Sequence, residues 1–547
     1  MWKVQIRMKK SLLATALTVL VVLALLVANL AFTALAQQNN LFVDTTTEGR
    51  YSLRPRMVEI LKEANMQADV DIIFCAEDDI LRSNYNTSLV YIMALELEKQ
   101  VRNIHVSCVD ATRHPELVAA YRRTSATTIK WNDVIISSGT EYRVYNTKSF
   151  FTVSSEDENE ILGFNGEQKM CEAILSLTAK DLPLACFTVG NGEVLPSQGD
   201  EETGYLFECI RDAGFRVTAV DLETEDIPSD CAVLILNGPT EDYASGRLED
   251  MNYNSPITKI DRFLDQYGTV FYFRNTAAGT LPNLEEFLAE WGIGFTVKDS
   301  AGNLFPNTVL SDSASALSGD PNRICGTYGD SSIYEDITAL SSPPKTVFES
   351  AAPLRILWQD GISSINSAGR KVSTLFSTGS KAQALDDSYS TVKTGTFPLM
   401  TMTSETRIVD SEYYTATLFV CATDLYHSAS YMADNVYANR EVLQSALRGA
   451  ARTTVSVAEE LEFKYYESTD FTTSYDQEEN TILKRDENGK VIWTMNPETG
   501  VSERHVIRII RPIEANELTA WTVVLILLPL AALVVTCAVM TLRRKNR

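Results

Sequence analysis

The sequence predicts an α/β body flanked by two transmembrane helices. Three observations carry this reading. A charge-free apolar run lies near each end, basic residues sit on the distal side of each run, and the stretch between alternates apolar strand-like segments with amphipathic helical ones. The chain has 547 residues, too many for one ordinary domain, and its 45% hydrophobic content is enough for packed cores.

Residues 12–36 carry no charge. At about 1.5 Å per residue the run spans a hydrocarbon core of roughly 30 Å. Ala34-Leu35-Ala36 has the look of a signal-peptide cleavage site, but signal cores are shorter, about 7–15 residues, so a retained anchor is expected. Residues 518–542 form the second expected span, with Trp521 at the outer interface and Arg543, Arg544 and Lys545 halting transfer. Lys3, Arg7, Lys9 and Lys10 make the tail 1–11 basic, and the tail 543–547 is basic too. Positive charge stays inside, so both termini are expected in the cytoplasm, in a two-span protein of the cell membrane whose body is extracytoplasmic. Ala24, Ala28 and Ala31 line one face with small side chains, while Asn29 and Pro529 lie within the spans, so a neighbouring helix in the bilayer is expected.

Residues 41–160 read as one α/β unit. Ser52 is placed to cap a helix reaching about Ala64, with Pro55 in its first turn. A strand at 69–75, a helix at 88–101, a strand at 104–109, a short helix at 115–123 and strands at 133–137 and 142–145 follow. This order suits a thioredoxin-like layer, although no CxxC accompanies it and no redox chemistry is expected. Residues 165–455 repeat the alternation: helix 168–178, strand 184–189, helix 203–213, strands 216–222 and 231–236, helix 257–266, strand 269–273, helix 284–291. Such continuous apolar strands belong to a sheet covered on both faces, a Rossmann-like or flavodoxin-like domain. A Ser-rich insertion at about 311–344 reads as loop. The sheet is expected to resume at 355–358 and 416–421, and 440–455 gives a last helix. Residues 456–515 are polar and strand-prone, a β-rich segment next to the second span. Asp486-Glu487-Asn488-Gly489 between 481–484 and 491–493 signals a hairpin.

The net charge is −24, and the terminal segments hold eight of the 48 basic residues, leaving 40 against 72 acids in the body. Such a surface repels phosphate backbones, so no nucleic acid is expected as partner. Cys75, Cys108, Cys186, Cys231 and Cys421 sit in apolar runs and read as small buried hydrophobes, with a disulfide between two of them left open.

The usual chemical signatures are missing from the sequence. No G-x-x-x-x-G-K-[ST] loop exists, and Gly369-Arg370-Lys371 lacks its spacing. Gly190-Asn191-Gly192 follows a strand and reads as a tight turn rather than a phosphate loop. No G-x-S-x-G elbow occurs. His427 and Asp424, just past a strand, are the best-placed residues for a hydrolase but have no nucleophile beside them, and read as loop residues. The acidic run 156–160 lacks the turn spacing of a calcium loop. No catalytic residue, cofactor or metal is expected.

Four motifs, in order, resemble the GldG-like family, an auxiliary component of ABC transport systems first linked to gliding motility. Phe164-Asn165-Gly166-Glu167 resembles its F-x-G-E segment. Phe187-Thr188-Val189-Gly190-Asn191-Gly192-Glu193 resembles its strand and T-G-H-G-E turn, with Asn191 where histidine is usual. Leu236-Asn237-Gly238-Pro239 resembles its G-P strand end, and Asn439-Arg440-Glu441-Val442-Leu443 its N-x-x-x-L helix start. The resemblance implies structural turns at Phe164, Gly166, Glu167, Gly190, Gly192, Glu193, Gly238 and Pro239. It also implies an amidotransferase-like fold without the catalytic cysteine. The expected role is a non-catalytic, membrane-anchored accessory subunit, with an ABC permease, a separate cytoplasmic ATPase and the lipid bilayer as partners. Its extracytoplasmic body would engage substrate or envelope proteins. The alternative is a free-standing surface receptor or scaffold that binds a peptide, glycan or envelope protein.

Overall fold

The computed structural model describes residues 52–465, apart from 65, 67, 124–126, 154–160, 246–253, 339, 341–342, 358–368, 410–411, 434–435, 452–453 and 462–463, together with Val27 and strands at 481–483, 493–495, 502–504 and 506–508. Apart from Val27 and Ser52, all of these fall in one compact unit, Leu53–Ile509.

The expectation of two transmembrane helices, and of a two-span location in the cell membrane, is overturned: among the described residues no helix is long and apolar enough to cross a membrane. The longest described helix has 16 residues and carries Glu96, Glu98 and Lys99. At about 24 Å it falls short of a bilayer core of about 30 Å. The segments 12–36 and 518–542, with Ala24, Ala28, Asn29, Ala31 and Pro529, lie outside the described residues apart from Val27.

Pro55 opens the helix Pro55–Glu63 (α1), where a missing N–H costs nothing. The N-cap position falls on Arg54 rather than on the expected Ser52. Next come Val70–Phe74 (β1), Asp78–Ser83 (α2) and Tyr85–Gln100 (α3). Asn84 starts α3 by accepting from the N–H groups of Asn86 and Thr87. Ile104–Cys108 (β2) pairs parallel to β1 through the α3 crossover, and Asp133–Ser138 (β3) and Glu141–Asn146 (β4) add an antiparallel hairpin on the other side. The order in this small sheet is β2-β1-β3-β4. Phe151–Val153 (β5) and Ile161–Phe164 (β6) then pair antiparallel and lead into Gly166–Thr178 (α4).

The large sheet begins with Leu184–Val189 (β7), Gly204–Asp212 (α5), Arg216–Asp221 (β8), Cys231–Asn237 (β9), Pro256–Asp265 (α6), Thr269–Phe273 (β10) and Pro282–Glu290 (α7). Arg370–Ser377 (β11), Pro398–Val409 (β12), Glu412–Cys421 (β13) and the helix Asn439–Ala450 (α8) complete it. Five parallel strands stand in the order β8-β7-β9-β10-β13, a flavodoxin-type 2-1-3-4-5 arrangement. Beyond β13 the sheet turns antiparallel through β12, β11 and the two-residue strand Thr327–Tyr328. The core follows from composition: β10 is buried at every position, and Phe271 stacks on Phe419 of β13 at 4.3 Å between ring centroids.

Several expected elements shift. The Ser-rich insertion is no plain loop, since Ala316–Leu317 and Val347–Glu349 flank Asp320–Cys325 in a small sheet. Arg355–Ile356 pairs with Ile293–Gly294 and stays out of the large sheet. The last helix ends at Ala450, before a 3-10 turn at Thr454–Glu460. In the tail, Thr481–Leu483 pairs with Val506–Arg508 and Trp493–Met495 with Ser502–Arg504, so the two strands of the expected hairpin pair with other partners. Cys75, Cys186, Cys231 and Cys421 are buried as expected, whereas Cys108 is exposed at the edge of its sheet. All eight described cysteines are free.

Candidate functional site

In an open α/β sheet, ligands sit beyond the carboxyl ends of the strands where the strand order reverses. Here that point lies between β7 and β9, and two of the four motifs bear on it. The turn after β7 takes positive φ at Gly190 (109°) and Gly192 (76°), a region that only glycine enters freely. A side chain at Gly192 would run into Thr240 Oγ1, and one at Gly190 would come within 3.1 Å of Asp221 Oδ1. Gly238 (φ 65°), after β9, is pressed by Asp424, whose Oδ2 would lie 2.8 Å from an added Cβ. Pro239 beside it is buried.

The crevice is filled by the chain's own polar groups. Glu193 accepts from the Asn191 N–H at 2.6 Å and from the Tyr243 hydroxyl at 2.5 Å. Tyr243 is fully buried, and its hydroxyl also meets Thr188 Oγ1 at 3.0 Å. Asn191 donates to the Asp242 carbonyl at 3.0 Å, while its own main-chain carbonyl accepts from Thr240 and Glu241. Asp242 accepts from the N–H groups of Asn283 and Leu284 in the first turn of α7.

His427 belongs to the same wall. Asn237 donates its amide to the Val194 carbonyl at 2.7 Å, so its oxygen is left to accept from His427 Nε2 at 2.7 Å. The imidazole is buried against the edge of Phe273. Burial holds its pKa down to about 4, and burial pushes Asp424 up to about 6.

These two shifts set opposing pH slopes. His427 favours the unfolded chain once protonated, so the stability it leaves intact above its ordinary value of about 6.5 is lost as pH falls toward 4. Asp424 does the reverse: its contribution is full below about 3.9 and is lost as pH rises through 6. Asp424→Asn should therefore unmask the histidine. Between pH 6.5 and 4 the variant should lose stability more steeply than the parent, by up to about 1.4 kcal/mol per pH unit. Urea midpoints across that range measure it, and parallel curves for the two proteins would refute the assignment.

The first motif lies elsewhere. Phe164 ends β6 with its ring over Gly166, where a side chain would collide with it. Glu167, buried in the first turn of α4, accepts from the Arg54 N–H at 3.1 Å and so ties the start of α1 to α4. Gly369-Arg370-Lys371 starts strand β11, where Arg370 pairs with Glu405 at 2.7 Å and lies over the Trp291 ring. The run 156–160 lies outside the described residues. Among the described residues no group of His, Cys, Asp or Glu is arranged to hold a metal ion.

Sequence reasoning missed two features. One is the Tyr243 stopper, fifty residues from Glu193 in a stretch without a motif. The other is a set of buried charges joining the small and large sheets. Asp212 accepts from Arg143 of β4 and from Arg440 of α8, each at 2.7 Å. Alternation along β4 places Arg143 on the buried side between half-buried Tyr142 and Val144, the one local signal available.

No family model matches the chain, and no curated protein matches it. Among solved structures, one titled "mmIFT52 N-terminal domain" is similar over 49% of this chain and 97% of its own, at 13% identity and a TM-score of 0.34. A likeness that slight carries no argument about fold or role. The description that stands is a mixed α/β protein whose strand-end crevice is closed by its own side chains.

Proposed function

We propose that this chain is a non-catalytic accessory subunit of an ABC-type transport complex, working with a permease and a separate ATPase. The observation that carries the reading is the stoppered crevice. Where a flavodoxin-type sheet would receive a ligand, Tyr243, Glu193 and Asn191 bond to one another and to the backbone. The best-placed histidine is buried, with its Nε2 held by the Asn237 side-chain oxygen. The motif order of the GldG-like family supplies the transport context, and its characteristic turns serve here to hold strand ends and helix starts. Affinity purification of the tagged full chain from its own cells in mild detergent tests the reading. An ATPase and a polytopic permease should co-purify in comparable amounts. Recovery of the chain without either would sink it and favour a free-standing receptor or scaffold.

A further inference from the structure

We infer that the cleft between the small and large sheets binds a phosphate monoester carried on a small organic group. The cleft has a volume of about 300 Å³ and lies among β4, α4, α5 and the start of α8. Five basic side chains, Arg123, Lys130, Lys148, Lys169 and Arg440, line it against two acidic ones, Glu208 and Glu441. In a chain with 72 acids and 48 bases, that local reversal of sign calls for a reason.

Charge accounting narrows the ligand. Glu208 is taken by Arg123 at 2.5 Å. Arg143 and Arg440 share the single carboxylate of Asp212, so one guanidinium charge is left over, and Arg440 Nε has no acceptor among the described residues. The Lys169 ammonium makes no ion pair or hydrogen bond among the described residues. It lies 5.6 Å from the centre of the Tyr145 ring. Leaving Lys148 aside, among the described residues Lys130, Lys169 and the surplus guanidinium have Glu441 in the cleft and Asp133 beside Lys130 as counter-charges. A phosphate monoester, with a charge of about −1.5 to −2 and three acceptor oxygens, can accept from all three cations at once, whereas a carboxylate offers only two oxygens.

Burial lowers the Lys169 pKa, so the ammonium stands to gain from an anionic partner. Arg123 lies 3.7 Å over the Tyr205 ring, and both line the cleft. A second cavity of about 510 Å³ shares Arg123, Lys130, Tyr145 and Tyr205 with the first and gives an organic group room beside the phosphate. Clefts between layers, apolar-walled with a few convergent polar groups, are where small ligands commonly bind. The site does not depend on membership of a transport complex.

The test uses the full chain and phenyl phosphate as probe, followed by ³¹P line broadening and calorimetry. Saturable binding at one site per chain is expected. Lys169→Met should weaken it about tenfold, the cost of one charge-assisted hydrogen bond. Lys130→Met, at an exposed position, should weaken it as well and guards against a folding defect in the first variant. Lys393→Met, on an exposed strand away from the cleft, should leave it unchanged. Benzoate should bind much more weakly. Absence of saturable binding by the parent protein, affinity unaltered in both cleft variants, or benzoate binding as tightly as phenyl phosphate would each overturn the assignment.

Discussion

Replacing Asn439 by leucine should remove about 4 kcal/mol of folding stability, a large share of the roughly 5–15 kcal/mol a domain possesses. Asn439 is fully buried at the first position of α8. Its amide donates to the carbonyls of Val347 at 2.9 Å and Tyr426 at 2.8 Å, and its oxygen accepts from the Val347 N–H at 2.9 Å. The side chain thus stands in for a neighbouring strand beside Val347 and fastens the loop at Tyr426 to the same point. Leucine fits the volume but leaves three buried backbone groups without partners, each costing about 1–3 kcal/mol. Urea unfolding followed by tryptophan fluorescence measures the loss. A change below about 1 kcal/mol would mean that water or a shifted backbone takes over the three bonds.

Asp212→Ala should cost about 3–5 kcal/mol by a different route. The carboxylate is the shared counter-ion of Arg143 and Arg440, and all three side chains are nearly excluded from solvent. Its removal strands two guanidinium groups in a medium that solvates them poorly. Arg143 belongs to the small sheet, and Asp212 and Arg440 belong to helices of the large one. Amide exchange in β4 should therefore quicken along with the global loss. Burial alone would raise the Asp212 pKa, but Arg440 and Arg143 outweigh it and hold the carboxyl below its ordinary range. A depressed carboxylate gives stability that is full above its unfolded value of about 3.9 and is lost as pH falls through the folded one. The parent should accordingly show a steeper acid transition than Asp212→Ala below pH 4. Equal stabilities at neutral pH would show that the triad contributes nothing net.

Much of the architecture was legible where the signal is local. The strands β7, β9 and β10 are unbroken apolar runs, and a run that apolar can only be covered on both faces. The strands β11 and β12 escaped because Ser, Thr, Arg and Lys interrupt their apolar residues. Thr401, Thr403 and Glu405 are buried only because β13 and β11 flank them and, for Thr403, because the Trp291 carbonyl accepts its hydroxyl. The candidate crevice was half legible. The turns at Gly190, Gly192 and Gly238 were marked by glycine, which positive φ demands, whereas the tyrosine that closes them carries no pattern.

Composition and periodicity by themselves determined the α/β alternation, the acidic surface, and the glycine turns at the strand ends. They do so because backbone sterics and the burial of apolar side chains act within a few residues. The end runs also raised an expectation of membrane spans, which no described helix carries. Only the tertiary structure decided that Arg143, Asp212 and Arg440 meet, that Tyr243 seals the crevice, and that basic side chains gather in one cleft of an acidic protein. Those meetings join residues 50 to 228 positions apart. Their energy comes from desolvation and charge pairing, which depend on distance in space and leave no mark on spacing along the chain.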